Sequence, residues 1–192
     1  MRFAQTQAQT PLAHAALESV KTALGHDIAI SANAEGNPFA YPRQHIRMPD
    51  QAASTQFFIP HNNESGYWWQ GENARIASLA SAATMFATMS TVEPELQAKL
   101  KDYARHALDW VFGFNPFDAC MMQGHGHNNP RYEPGFWNAP GGVCNGITSG
   151  LRDETDIDFR MPHETDMGQS WRWSEQWIPH GAWLFHAISQ QS

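Results

Sequence analysis

The chain has 192 residues, a formal net charge of −7 and a pI near 5.7. This acidic balance excludes a nucleic-acid partner, which would require a basic stripe along the protein surface. No apolar run approaches the ~20 residues of a membrane span, so no membrane partner is expected. The first residues also lack the apolar core of a signal peptide, which favours a cytoplasmic location.

Apolar periodicity predicts four helices, separated by two long connections. The predicted helices are residues 12–24, closed by Gly25; residues 71–89, apolar on nearly every side; residues 94–112, with Leu96, Leu100, Tyr103, Ala107 and Trp110 on one face; and residues 179–189. The connections, 25–69 and 114–174, are dense in Gly, Pro, Asn, His and aromatic residues. Structureless loops of this length are usually functional, so we expect helical hairpins that carry large ordered loops on one side.

Glu175 lies among three tryptophans in residues 171–177 (WRWSEQW). Apolar rings around a carboxyl group disfavour its charged form, and a carboxylic acid that stays protonated can serve as a general acid. Indole faces are also common stacking surfaces for sugar rings, so carbohydrate chemistry is the first hypothesis. The structural alternative is a helix N-cap or first-turn glutamate, and Pro179 just inside a helix start fits that alternative.

Residues 124–132 (GHGHNNPRY) form a second candidate site. His125, His127 and Arg131 are suited to hydrogen bonding with sugar hydroxyls. The two histidines also suit a metal, but zinc needs three or four ligands and no Cys or Asp has a matching short spacing. Ordinary loop polarity stays open as a third interpretation.

Two further segments are chemically suggestive. The acidic run at 153–158 can offer oxygen ligands to calcium through Asp153, Asp156 and Asp158, although it lacks EF-hand spacing. Its alternative is a solvated acidic turn. Trp68 and Trp69 can form a stacking wall or pack beneath their loop. Cys120 and Cys144 are expected to be free thiols, because two cysteines are weak support for an oxidising compartment.

Several landmarks together resemble glycoside hydrolase family 9. Residues 110–117 (WVFGFNPF) are similar to its helix end and Asn-Pro turn, and residues 140–143 (PGGV) to its Pro-Gly-Gly segment. Between them, as in the family, comes a loop with His and Arg, although here the two histidines are not adjacent. An acidic stretch follows, and residues 171–175 match the family's last motif with Ser174 in place of Asn. The resemblance covers about residues 100–190, and residues 71–83 match more loosely.

The resemblance implies an all-α fold of the (α/α)6 toroid type and inverting hydrolysis of β-linked glucosyl or glucosaminyl oligosaccharides. It makes Glu175 the general acid, without a metal or other cofactor. The substrate-contact residues that it suggests are His125, His127, Arg131, Tyr132, Trp68, Trp69, Trp137 and Trp173. The aromatic residues and the Asn-Gly-rich loop look closer to exo-acting bacterial members than to endo-cellulases.

The catalytic base of that family is an upstream aspartate in an Asp-Ala-Gly-Asp-like motif, and this sequence contains none. A twelve-helix toroid also needs a much longer chain than one with four helices. We therefore expect residues 1–192 to be the C-terminal portion of a single catalytic domain that supplies only the acid. Two alternatives are a non-catalytic carbohydrate-binding remnant and a metal-binding helical domain.

Overall fold

The computed structural model describes residues 10–32, 36–47, 50–59, 71–129, 138–147 and 174–191. These residues are mostly helical, with one small antiparallel sheet. The elements in chain order are α1 (Pro11–Ala32), β1 (Gln44–Ile46), β2 (Ser54–Gln56), α2 (Glu72–Ala87), α3 (Pro94–Val111) and α4 (Ile178–Ser189). Helix α2 contacts both α3 and α4, and α1 contacts α3 and β1. In the described ranges no helix is long and apolar enough to cross a membrane.

Helix α2 is the central element, as its nearly continuous apolar sequence predicts. Ten of its sixteen residues are buried, among them Ile76, Ala80 and Phe86. Alanines on several sides let α3 and α4 approach closely, which a helix with one apolar stripe would not allow. The helix begins after Gly71, whose φ of 111° suits glycine. The first and last residues of the helix therefore each lie within two positions of the predicted range 71–89.

Helix α3 confirms the predicted amphipathic face. Leu100, Tyr103, Ala107 and Trp110 are buried, and Leu96 is partly buried against the same core. Pro94 begins the helix, where its missing N–H costs no hydrogen bond. At the other end the Asn115 side-chain amide donates to the carbonyls of Trp110 (2.9 Å) and Ala119 (2.8 Å). The Asn-Pro turn after α3 is thus held by hydrogen bonds to the last turn of the helix and to Ala119.

Two predictions for the first connection are wrong. Gly25 does not end α1, which continues to Ala32, since residues 26–32 contain no further glycine or proline and Ile28 packs against the core. A glycine inside a helix costs only about 1 kcal/mol relative to alanine, which such packing can offset. The connection also contains the hairpin of β1 and β2, in register Gln44↔Gln56 and Ile46↔Ser54. The hairpin was missed because three-residue strands carry too little alternation to recognise.

The core contains a buried ionic cluster at the start of α2. Arg75 donates to Glu72 Oε2 from Nη2 (2.9 Å) and Nε (3.0 Å), an ion pair between residues three positions apart in α2. The Tyr41 hydroxyl also donates to Glu72, and Arg75 reaches the Pro42 carbonyl at 2.9 Å. Burial alone would lower the pKa of Arg75. Glu72 and Tyr41, through charge and hydrogen bonds, together raise that pKa by more than burial lowers it, so the net pKa lies above its usual value. The cluster ties the segment before β1 to α2.

Candidate functional site

Three loop segments meet beside the first turns of α2 and α4. Residues 120–129, 138–147 and 174–177 are joined by two short antiparallel bridges, Met122↔Val143 and Cys144↔Gln176. The Asn145 carbonyl also accepts the Asn73 N–H at 3.0 Å, which fixes the segments to α2. We call residues 120–129, 138–147 and 174–177 the loop junction. It contains Glu175 and both predicted histidines.

Gln176 holds the three segments together with its side-chain amide. Its Oε1 accepts the Ala139 N–H at 2.9 Å, while Nε2 donates to Gln123 Oε1 at 2.8 Å and to the Ala139 carbonyl at 3.1 Å. The fit depends on Gly142, because a Cβ there would lie 1.9 Å from Gln176 Oε1. Gln176 therefore places the histidine-containing segment next to the one that carries Glu175.

Glu175 is half-buried and is held at both its backbone and its side chain. Its carbonyl accepts the Asn145 N–H at 2.9 Å, and its Oε2 accepts the Trp177 indole N–H at 2.6 Å. The N-cap of α4 is Trp177, whose side chain makes no capping hydrogen bond, and the first turn of the helix has no acidic residue. The helix-cap interpretation of Glu175 is therefore wrong. Trp177 also offers the carboxylate its N–H edge rather than an apolar ring face.

Trp177 forms a supported aromatic platform beside this carboxylate. Its side chain is 41% exposed, and its ring stacks on His180 with 6.2 Å between centroids and 24° between planes. One face of the indole thus packs towards the buried His180, while the ring as a whole stays partly exposed to solvent. A fixed aromatic surface next to a fixed carboxylate is a suitable arrangement for a sugar ring with a polar substituent.

His180 is the buried partner beneath the platform. It is 2% exposed, and its Nε2 lies 2.6 Å from Asn145 Oδ1. Burial lowers the pKa of His180 from its usual 6.5 to about 4. The imidazole is therefore neutral at physiological pH. With Asn145 Oδ1 as the acceptor, the proton resides on Nε2.

His125 and His127 lie on the exposed turn of the loop junction. The turn needs Gly126, whose φ is 66° and whose added Cβ would lie 2.6 Å from Cys120 Cβ. His127 Nδ1 lies 3.3 Å from Asp118 Oδ2. Both imidazoles are open to solvent, as sugar-binding side chains require. In the part of the chain that the structure describes, no three His, Cys, Asp or Glu side chains are grouped to hold a metal ion.

The remaining predicted site residues lie outside the described residues. They are Arg131, Tyr132, Trp68, Trp69, Trp137 and Trp173, together with the calcium candidates Asp153, Asp156 and Asp158. Sequence reasoning missed four residues of the loop junction and its support, namely Asn145, Gln176, Trp177 and His180. The only local signal was the spacing of Trp177 and His180, which places two rings one helical turn apart.

The two cysteines are free thiols, as predicted, and both are buried. Cys144 packs in the loop junction, where burial raises its pKa to about 12. Burial also raises the pKa of Cys120. Neither thiol therefore has the character of a nucleophile.

Comparison with known proteins returned no matching family model and no matching curated protein. The case for a function therefore rests on the loop junction and on the motifs that it contains.

Proposed function

We propose that this chain is the C-terminal portion of an inverting, family 9-like glycoside hydrolase in which Glu175 is the general acid. The observation that carries the proposal is the contact between the Glu175 carboxylate and the exposed Trp177 indole, 2.6 Å from Oε2 to Nε1. It puts the proposed general acid beside a stacking platform. In the complete enzyme, Glu175 protonates the departing glycosidic oxygen.

The hydrogen bonds of the loop junction support this role. A general acid must be held within hydrogen-bond reach of the leaving oxygen, and small displacements of such a group are costly. Glu175 meets this requirement because Asn145 fixes its backbone and Trp177 fixes its carboxylate. Its side chain is half-buried, so part of it is accessible to a substrate.

The neighbouring loop suits an oligosaccharide. His125 and His127 are exposed donors on a segment joined to that of Glu175 by the Gln123–Gln176 hydrogen bond. In the proposed enzyme they hold sugar hydroxyls together with Arg131 and Tyr132. The proposed subsite walls are Trp68, Trp69, Trp137 and Trp173.

The proposed fold is the (α/α)6 toroid, of which residues 1–192 form the C-terminal part. An inverting enzyme needs a second carboxylate about 6.5–9.5 Å from the acid to activate water. We assign that base to a preceding part of the longer protein, since this sequence has no aspartate in the expected motif. A carbohydrate-binding remnant would keep the platform and lack the base, so the same experiment distinguishes the two.

The test compares Glu175→Gln with Glu93→Gln in the longer protein. Glu93 is exposed and caps nothing with its side chain at the start of α3. It follows the far end of α2, on the order of 24 Å along that helix from Gly71. Hydrolysis of an unactivated β-glucoside or β-glucosaminide should fall about 100-fold or more for Glu175→Gln alone.

Survival of more than a few per cent of that activity in Glu175→Gln would show that Glu175 is not the acid. A wild-type protein that binds cello- or chito-oligosaccharides in calorimetric titration, yet hydrolyses neither, would support the binding remnant. Metal analysis after chelation tests the metal-binding alternative.

A further inference from the structure

Two hydrogen bonds hold Glu175 among the described residues, and both lead to one buried side chain. We propose that His180 is a positioning residue that fixes the Glu175 carboxyl, through Asn145 on the backbone side and through Trp177 on the side-chain side. This inference rests on the proposed role of Glu175 as general acid. It extends that role to a residue that itself does not reach the substrate.

The first connection runs through Asn145. The His180 Nε2 donates to Asn145 Oδ1 at 2.6 Å, and the Asn145 backbone N–H donates to the Glu175 carbonyl at 2.9 Å. The Asn145 carbonyl in turn accepts from Asn73 at the start of α2. His180 thus orients the residue that fixes the backbone of Glu175 relative to two helices.

The second connection runs through Trp177. The imidazole of His180 lies nearly parallel to the indole, with 24° between planes, and the indole N–H reaches Glu175 Oε2. The flat ring below Trp177 restricts the tilt of the indole. The direction of its N–H, and with it the carboxylate, is therefore set by His180.

A neutral histidine suits both connections. One needs a single N–H donor, and the other needs a flat ring. Its Nδ1 is buried and has no hydrogen-bond partner among the described residues, so a second proton there would be unpaired. Gly71 leaves space for the ring, because a Cβ at that position would lie 3.0 Å from His180 Cε1. Glutamine can replace the donor and phenylalanine can replace the ring, but neither replaces both.

Helix α4 contains a matched control pair. His186 also follows a tryptophan, Trp183, at a spacing of three residues, with 6.0 Å between ring centroids. That pair is edge-on, with 86° between planes, and His186 contacts Ser81 of α2. A change at His186 therefore disturbs a second Trp–His pair, one whose contacts among the described residues do not lead to Glu175.

The first test measures dependence on the leaving group in the longer protein. An activated 2,4-dinitrophenyl glycoside needs no protonation, whereas an unactivated glycoside does. We divide the kcat for the unactivated glycoside by the kcat for the activated glycoside. For His180→Phe and His180→Gln we expect this ratio to fall about tenfold or more, and for His186→Gln we expect the wild-type ratio. This ratio is insensitive to the amount of folded protein, because unfolding lowers both rates equally.

The second test needs only the 192-residue chain. The indole N–H resonance of Trp177, assigned by its loss in Trp177→Phe, should shift in both His180 variants and stay in place in His186→Gln. Suppose that Glu175→Gln lowers the ratio as expected, but the His180 variants leave the ratio unchanged or the resonance in place. That result would overturn the role of His180 and leave the general-acid proposal standing. If Glu175→Gln itself leaves the ratio unchanged, the general-acid proposal fails and this inference fails with it.

Discussion

Arg75 Nη2 lies 2.9 Å from Oε2 of Glu72, in a pair whose carboxylate is fully buried. The Tyr41 hydroxyl and the Arg75 guanidinium satisfy the same oxygen. Removing one member of a buried pair costs far more than the pair contributes in total, because the partner keeps its charge without compensation. The start of α2 therefore depends on a polar cluster as much as on apolar packing.

We predict that Arg75→Met lowers the free energy of unfolding by about 3–5 kcal/mol. The matched control is Arg105→Met, which removes the exposed contacts of Arg105 with Asp102 and Asp109 on α3. That change should cost no more than about 1 kcal/mol. Chemical denaturation of both variants provides the measurement, and equal losses would contradict the assignment of the cluster.

The loop junction gives a second prediction. Gly142→Ala should destabilise the chain by about 1–3 kcal/mol, since the new Cβ displaces the Gln176 amide from its hydrogen bonds. Gly181→Ala is the control: apart from its chain neighbours and its own helix backbone, no atom of the described residues lies within 4 Å of its added Cβ in α4. There the higher helix propensity of alanine should stabilise the chain by up to about 1 kcal/mol.

Double-mutant analysis checks the mechanism of this effect. Once Gln176→Ala has removed the amide, Gly142→Ala has little left to displace, and its cost should fall well below that in the wild-type background. Additive losses would mean that Gly142 acts through something other than Gln176.

How much of this site the sequence predicts depends on the range of the contacts. Glu175, His125 and His127 stand out because their neighbours in sequence are informative. The hydrogen bond between His180 and Asn145 joins residues 35 positions apart, and no local pattern indicates it. For the same reason α2 and α3 were predicted closely from periodicity, whereas the pairing of β1 with β2 was not.

Stability should depend on pH through His180. Because burial lowers its pKa from 6.5 to about 4, the unfolded chain binds a proton between these values that the folded chain does not. The stabilisation is fully present above about pH 6.5 and is lost as the pH falls towards 4, by roughly 3 kcal/mol in total. His180→Gln should remove this part of the pH dependence in denaturation measured from pH 7 to 4.5. Parallel profiles for the two proteins would show that His180 titrates normally.

Cys144 should resist alkylation in the folded chain. At pH 8 a thiol whose pKa is raised to about 12 has on the order of a thousandfold less thiolate than an unfolded cysteine. Iodoacetamide labelling followed by peptide mass spectrometry, with and without denaturant, measures the difference. Rapid labelling of Cys144 without denaturant would contradict the burial described for the loop junction.

The outer face of α4 leads to a prediction about the chain in isolation. Buried residues of this helix, His180, Leu184 and Ala187, face α2. Ile178 and Phe185, in contrast, are 88% and 76% exposed, and Trp183 and Ile188 are also partly exposed. An apolar surface of this kind promotes self-association. We therefore expect the isolated chain to associate as its concentration rises, and Phe185→Lys to reduce that association in light scattering.

Ala98→Lys on the exposed side of α3 is the control, because it makes the same change in net charge away from this face. Phe185→Lys should leave the unfolding free energy of the isolated chain within about 0.5 kcal/mol, as expected for a solvent-exposed position. In the longer protein that we propose, neighbouring helices of the toroid cover α4, so the same change buries a charge and should destabilise the domain. Equal effects in the two proteins would mean that the outer face of α4 is solvent-exposed in both, which argues against the toroid.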